Sequence, residues 1–166
     1  MKKYLFATLA LIATSFAHQS FPQALPGGGG IVFPNPPQRI HNFLGSGGNK
    51  IGYDIFISQK NEMIFFALAA KFPGVIDEAK EMSCLEGFLR GFMQKDKNVL
   101  QNAKVINFHG KKALSFSVKN KSRNFLGKTL VFEDFMYLIA TEADDKDLQE
   151  DQFEKFVRSF TLPNEK

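Results

Sequence analysis

Alternating apolar residues run through residues 104–141 of this 166-residue chain and restrict what it can fold into. A period of two places every second side chain on the same face of a strand, so the pattern predicts strands with one buried face. The alternation breaks at 109–111 and at 133–134, which is typical of tight turns. We therefore predict an antiparallel sheet at the centre of the fold. The alternating apolar positions are Ile106, Phe108, Leu114, Phe116, Val118, Leu130, Phe132, Met136 and Leu138.

The segments around this sheet predict two more strands and two helices. Residues 51–58 alternate, and residues 63–70 are apolar on both faces, which favours a central strand covered on both sides. Apolar residues at a spacing of three and four predict a helix over 77–95 and another over 153–160. The predicted class is α+β, a mostly antiparallel sheet flanked by helices.

The single cysteine, Cys84, falls on the first predicted helix and excludes an internal disulfide. A nucleophilic thiolate needs a base and an electropositive setting, and no histidine is near Cys84 in the sequence. Cys84, Gly87 and Gly91 form a stripe of small residues, which we expect to permit close approach to the sheet or to another helix. We predict that Cys84 is buried and structural.

The N-terminus has the three parts of a signal peptide. Residues 1–3 are basic, residues 4–14 are apolar, and residues 15–17 form a small-x-small cleavage site. The apolar run is shorter than the roughly 20 residues that span a membrane. We predict a signal peptide at 1–17 and export to the periplasm or beyond.

A Pro- and Gly-rich segment follows the predicted cleavage site. Its composition over 18–48 favours a linker, with a possible edge strand at 31–33 that Pro34 would end. The remaining residues, 49–163, form the predicted α+β domain. The glycine run at 27–30 lacks the Lys-Ser/Thr and the helix start of a phosphate-binding loop.

The charge balance argues against nucleic acid as a partner. The chain has 21 basic and 17 acidic residues, a formal net charge of +4. Removal of the signal peptide, which contains Lys2 and Lys3, lowers this charge to +2. A nearly balanced surface does not favour nucleic acid or an anionic membrane. We expect the partner to be another exported or envelope protein. We also expect no transmembrane segment in the mature chain, and the sequence leaves the oligomeric state open.

Several motifs together resemble one known family, the PsbP-like domain, whose fold is shared with Mog-type Ran-binding proteins. The resemblance covers residues 31–162 and implies an antiparallel sheet between helices, an α/β/α sandwich. It also implies an accessory or binding protein rather than an enzyme, and it transfers no site residue. The motifs are FPNPP at 33–37, GYDIFIS at 52–58, VINFHGKKALSFSV at 105–118, GKTLVFEDFMYLIAT at 127–141 and FEKFVRSFTL at 153–162.

No residue pattern specifies a reaction or a metal. His109 lies at a predicted turn and His41 in the predicted linker, without the neighbours of a catalytic triad. The acidic residues of 142–151 do not match the calcium-binding loop of an EF-hand. They are better explained as the capped, acidic first turn of the last helix.

Signal-peptide cleavage suggests one unusual metal site. Cleavage after Ala17 leaves His18 as the first residue, and its amine and imidazole can chelate copper, with His41 or His109 as a third ligand. Because His18 would begin a flexible linker, such a site is not preorganised. We predict no cofactor and no enzymatic activity.

The segment 119–128 is the predicted partner-binding surface. Basic residues around an apolar pair would suit contact with an acidic partner. The alternative is a solvated loop whose Phe folds back onto the core. The residues are Lys119, Lys121, Arg123, Phe125, Leu126 and Lys128.

Two classes of function therefore remain open. The first is an exported, non-catalytic module that binds another protein. The second is a small-ligand binder or an enzyme with a pocket between the Phe-rich last helix and the sheet. The phenylalanines of that helix are also what an ordinary core contains.

Overall fold

A computed structural model of the protein describes residues 20–44, 50–94 and 97–163. Seven strands form one sheet in the order β3-β4-β5-β9-β8-β7-β6, and β1 and β2 form a separate hairpin. This architecture confirms the predicted α+β class. The elements are β1 Phe21–Ala24, β2 Gly30–Phe33, β3 Gln38–Leu44, β4 Ile51–Lys60, β5 Met63–Lys71, α1 Glu78–Met93, β6 Asn98–Phe108, β7 Lys111–Asn120, β8 Arg123–Phe132, β9 Phe135–Asp144 and α2 Glu150–Arg158.

Every neighbouring pair in the sheet is antiparallel. Two-residue turns close four of its hairpins, and the first residue of each turn has a positive φ of 53–56°. Positive φ at this position is what a primed turn needs to match the twist of the two strands. The turns predicted near 109–111 and at 133–134 are confirmed. These first turn residues are Asn61, His109, Lys121 and Glu133.

Helix α2 and the β1–β2 hairpin together cover one face of the sheet. Phe33 of β2 and Phe160, just beyond α2, are fully buried, and so is Tyr137 of β9. The Tyr137 hydroxyl donates a hydrogen bond of 2.8 Å to the carbonyl of Pro26. Burial raises the pKa of Tyr137 to about 12, so this hydroxyl stays protonated and keeps its donor at neutral pH.

Helix α1 covers the opposite face. Asp77 caps its N-terminus by accepting a hydrogen bond of 3.1 Å from the backbone N–H of Ala79. Glu81, Leu85 and Leu89 are buried against the sheet, one turn apart from each other. The two helices on opposite faces give the α/β/α sandwich that the resemblance implies.

The small-residue stripe on α1 does not form the predicted close contact. Gly87 and Gly91 are exposed, and a Cβ at either position would meet nothing within 4 Å. Cys84 is half-buried rather than buried. The reason is that α1 contacts the sheet along Leu85 and Leu89, which turns the glycines toward solvent. Close approach occurs at Gly127 instead, where a Cβ would lie 2.7 Å from a ring carbon of Phe116.

The linker predicted at 18–48 is also corrected over 20–44, because β1, β2 and β3 lie there. Gly27 and Gly28, with φ of 80° and 85°, make the turn between β1 and β2. The possible edge strand at 31–33 lies inside β2, a member of a small hairpin rather than of the main sheet. The predicted signal peptide and His18 fall outside the described residues.

Candidate functional site

The predicted partner-binding residues lie at the tip of the β7–β8 hairpin, which we call the hairpin tip (119–128). Strand geometry sends neighbouring side chains to opposite faces of the sheet. Phe125 accordingly packs into the core beneath α1, whereas Leu126 packs against the core beneath α2. Lys121 occupies the turn and is exposed. The hairpin tip therefore does not present one apolar pair ringed by cations.

Carboxylates from β9, its following turn and α2 neutralise most of the positive charge of the hairpin tip. Lys119 pairs with Asp145 at 2.7 Å, and Arg123 Nε lies 2.7 Å from Glu142 Oε1. The bond from Lys119 is also the main reason why the pKa of Asp145 is lowered. Lys121 forms no ion pair with any described residue. These partners are distant in sequence, which is why the sequence alone did not predict the pairing.

Lys128 has a structural environment. Its ammonium lies 2.9 Å from both carboxylate oxygens of Glu154 on α2, and its side chain is only 14% exposed. It also lies over the rings of Phe108 and Phe153, at 5.9 and 5.5 Å from their centroids. These contacts attach α2 to the sheet, so little of Lys128 is available to a partner.

Phe125 belongs to an aromatic cluster under the C-terminal half of α1. Its ring centroid lies 4.9 Å from that of Phe92 and 5.9 Å from that of Phe116. Phe66 adds a third neighbour at 6.0 Å. Of the two alternatives for this segment, the structure has the phenylalanine folded back onto the core. The ring remains half-buried rather than sealed.

A groove of about 470 Å³ lies between the hairpin tip, the start of β6 and the last turn of α1. Phe92 and Phe125 line its apolar part. Asn98 donates to the carbonyl of Phe92 at 2.9 Å and accepts from Asn120 at 2.7 Å, so it fixes the end of α1 against the two strands. Arg123 and Glu142 form part of the polar lining. The residues lining this groove include no histidine, cysteine or tyrosine.

A second polar cluster, which the sequence did not predict, lies at the β3 edge of the sheet. Asp54 is 6% exposed and accepts a hydrogen bond of 2.7 Å from Arg39 Nε. His41 Nδ1 lies 3.1 Å from the same carboxylate oxygen. The bond from Arg39 is the main cause of the lowered pKa of Asp54, and it outweighs the opposing effect of burial.

This cluster corrects the prediction that His41 lies in a linker, because His41 belongs to β3 and lies beside the carboxylate of Asp54. The pairing of β3 with β4 places His41 directly opposite Asp54. All seven residues of β3 are exposed, so no alternation of buried and exposed side chains marks this strand in the sequence. Cys84 lies on α1, on the other face of the sheet from Asp54, so the cluster gains no thiol nucleophile. We interpret it as a connection that holds the edge strand β3 in place.

Within the described residues, no helix is both long and apolar enough to cross a membrane.

Comparison with known proteins finds no matching family model and no matching curated protein. Among solved structures, the fold is similar to the solution structure of cyanobacterial PsbP (CyanoP) from Synechocystis sp. PCC 6803, with a TM-score of 0.58. The match covers 93% of this chain and 98% of that chain at 12% sequence identity. Similarity at this level of identity concerns the fold and not the activity. The chain has a PsbP-like fold, as the motifs of its sequence implied.

Proposed function

We propose that this protein is an exported, non-catalytic accessory module that binds another exported or envelope protein at the groove beside the hairpin tip. The observation that carries the proposal is the groove itself, in which Phe92 and Phe125 lie side by side under a polar rim. Aromatic side chains in a partly open pocket are typical anchors of protein–protein contacts. The PsbP-like fold supports the non-catalytic part of the proposal.

The charges of the rim define what the partner must offer. Lys121 and Arg123 are balanced by Glu142 and Asp144 in the lining of the same groove. A strongly acidic partner would therefore meet repulsion as well as attraction. We expect a partner that packs an apolar side chain against the two phenylalanines and makes hydrogen bonds with both signs of charge at the rim. Lys121, which lacks an ion pair in the described residues, contributes mainly to the rate of association.

Site-specific photocrosslinking in the native exported compartment tests this proposal. A photoreactive residue at position 121 should yield one discrete adduct, whereas the same residue at the exposed position Lys80 on the first turn of α1 should yield none. The adduct from position 121 should disappear when Asn98→Trp fills the groove. An adduct from position 80 only would move the contact surface away from the hairpin tip. Equal adducts from both positions would indicate unspecific capture.

A second experiment concerns charge. Lys121→Glu should slow association with the captured partner at low salt and leave the dissociation rate almost unchanged, since a rim charge acts mostly on encounter. Lys112→Glu, an exposed lysine near the opposite end of β7, is the matched control. If both variants associate at the same rate, Lys121 does not face the partner.

Export is tested separately from binding. The intact mass of protein recovered from outside the cytoplasm should correspond to a chain that begins at His18. A mass that still contains residues 1–17 would contradict the signal peptide.

A further inference from the structure

Two adjoining pockets lie along α2, on the face of the sheet opposite the groove beside the hairpin tip. The first is an apolar slot of about 200 Å³ between β2, β5 and α2, where Val32, Phe33, Pro34, Phe65 and Phe156 form most of the wall. This is the pocket between the Phe-rich helix and the sheet that the sequence left open as an alternative. We call it the apolar slot.

The second pocket is polar and has a volume of about 290 Å³. Three lysines line it, Lys60, Lys146 and Lys155, against two carboxylates, Glu62 and Asp147. The two pockets share lining residues, Lys60 and Lys155 among them, so they form one continuous cleft with an apolar end and a cationic end. We call the second pocket the cationic end.

We propose that this cleft binds a single-chain amphiphile with a carboxylate head, such as a medium-chain fatty acid anion. Its hydrocarbon tail occupies the apolar slot, and its carboxylate lies at the cationic end near Lys155. The apolar slot alone is smaller than the roughly 300–1,000 Å³ of typical ligand pockets, and the two pockets together reach that range. This inference does not depend on the proposed protein contact, which uses the other face of the sheet.

The wall of the apolar slot favours a hydrocarbon over a peptide. The hydroxyl of Ser159 in this wall accepts from the N–H of Val32 at 3.1 Å and donates to the carbonyl of Phe156 at 2.6 Å. Because this hydroxyl is already satisfied within the protein, it offers little to a polar ligand. Each methylene buried in the slot strengthens binding about fourfold, so affinity should rise with chain length until the slot is full.

The cationic end favours an anionic head group. Lys146 and Lys155 form no ion pair with any described residue, so their ammonium groups are free to bind a ligand. A carboxylate head near Lys155 would pair with an ammonium group of this end of the cleft. A hydrogen bond between an ammonium and a carboxylate is stronger than one between neutral groups.

Calorimetric titration of the purified mature chain with three related ligands tests the assignment. Decanoate should bind saturably as a monomer. Decanol, which has the same tail and no charge, should bind about 3- to 10-fold more weakly. Butyrate, which has the charge and little tail, should show no measurable binding. Equal affinities for decanoate and decanol, or no saturable binding of decanoate, would overturn the proposal.

Two variants locate the ligand in the cleft. Lys155→Gln should weaken decanoate about 3- to 10-fold and leave decanol unchanged, whereas Val32→Phe should weaken both by filling the apolar slot. Lys112→Gln is the control for loss of an exposed lysine, and thermal unfolding checks that Val32→Phe is folded. Binding of decanoate that neither cleft variant alters would place the ligand elsewhere and contradict the proposal. A selective effect of Lys155→Gln supports it even if Val32→Phe does not fold.

Discussion

The two faces of the seven-stranded sheet are each covered by one helix, and they are sealed to different depths. On the α2 face, the apolar residues in and just after the helix are at most 5% exposed. On the α1 face, Phe88, Phe92 and Met93 remain half-buried and only Leu85 and Leu89 are buried apolar residues of the helix. The sealed residues of the α2 face are Phe153, Phe156, Val157 and Phe160.

The difference has a simple structural cause. The α2 face receives a second cover, because the β1–β2 hairpin adds Leu25, Ile31 and Phe33 beside the helix. The α1 face has a single helix over a sheet of seven strands, and one helix is too narrow to cover such a sheet. Aromatic side chains at the end of α1 are therefore left at the border of a groove. The α2 face contributes most of the fully buried apolar residues, and the partly open α1 face borders the groove beside the hairpin tip.

The largest expected effect tests the sealed face. Phe156 is 4% exposed and contacts the rings of Phe33 and Phe65, with centroids at 5.1 and 5.2 Å. Phe156→Ala should lower the free energy of unfolding by about 3–5 kcal/mol, because it removes a large buried side chain and leaves a cavity. Urea denaturation measures this change. A loss well below 1 kcal/mol would mean that α2 does not seal its face.

The same truncation on the partly open face should cost less. Phe92 is half-buried although it contacts the rings of Phe125 and Phe116, so water and neighbouring side chains can fill part of the space that Phe92→Ala leaves. We expect a loss of about 1–2 kcal/mol, since the transfer term is reduced and the cavity is open. If Phe92→Ala and Phe156→Ala lower the free energy of unfolding by the same amount, the two faces do not differ in how well they are buried.

Much of this fold was predictable because its strands carry their own signal. The alternation from Ile106 to Leu138 identified strands of the sheet, and the glycine and acidic residues between them marked two of the turns. By contrast, β3 was missed, because its seven residues are all exposed at an edge and have no buried face to impose a pattern. Prolines and glycines on both sides of it also suggested a linker. A strand stabilised by pairing rather than by burial leaves little trace in a single sequence.

The candidate site was predictable only in its position in the chain. The sequence pattern of 119–128 indicated a loop. Phe125 and Leu126 instead lie in β8, where strand geometry directs them to opposite sides of the sheet. The ion pairs of the hairpin tip were not predictable, because Glu142 and Glu154 reach it through strand pairing and helix packing across the fold. The groove depends on the end of α1 as well. It is a property of the packed elements and not of any segment.

Two glycine substitutions test the exposed side of α1 and the packing between α1 and the sheet. Gly87→Ala should raise the free energy of unfolding by about 0.5–1 kcal/mol, because the added methyl meets open space and the helix gains a better helix former. Gly127→Ala should lower it by about 1–3 kcal/mol through the clash with Phe116. Thermal unfolding of both variants checks the two signs. A destabilising Gly87→Ala would show that α1 does approach another element there.

The smallest expected effect is on the rate at which a thiol reagent labels Cys84. This rate tests directly whether the α1 face is partly open. Cys84 is half-buried on the α1 face, and burial raises the pKa of its thiol. Because the thiolate is the reactive species, labelling of the native protein should be slow at neutral pH and rise about tenfold per pH unit below the pKa. A face that is partly open should let the reagent in without unfolding, so the rate should not change with low concentrations of urea. If the labelling rate instead rises as urea lowers the free energy of unfolding, the reagent reaches Cys84 only when the protein unfolds. The α1 face would then be closed in solution. Fast stoichiometric labelling at neutral pH would show that the packing of α1 on the sheet does not shield the thiol.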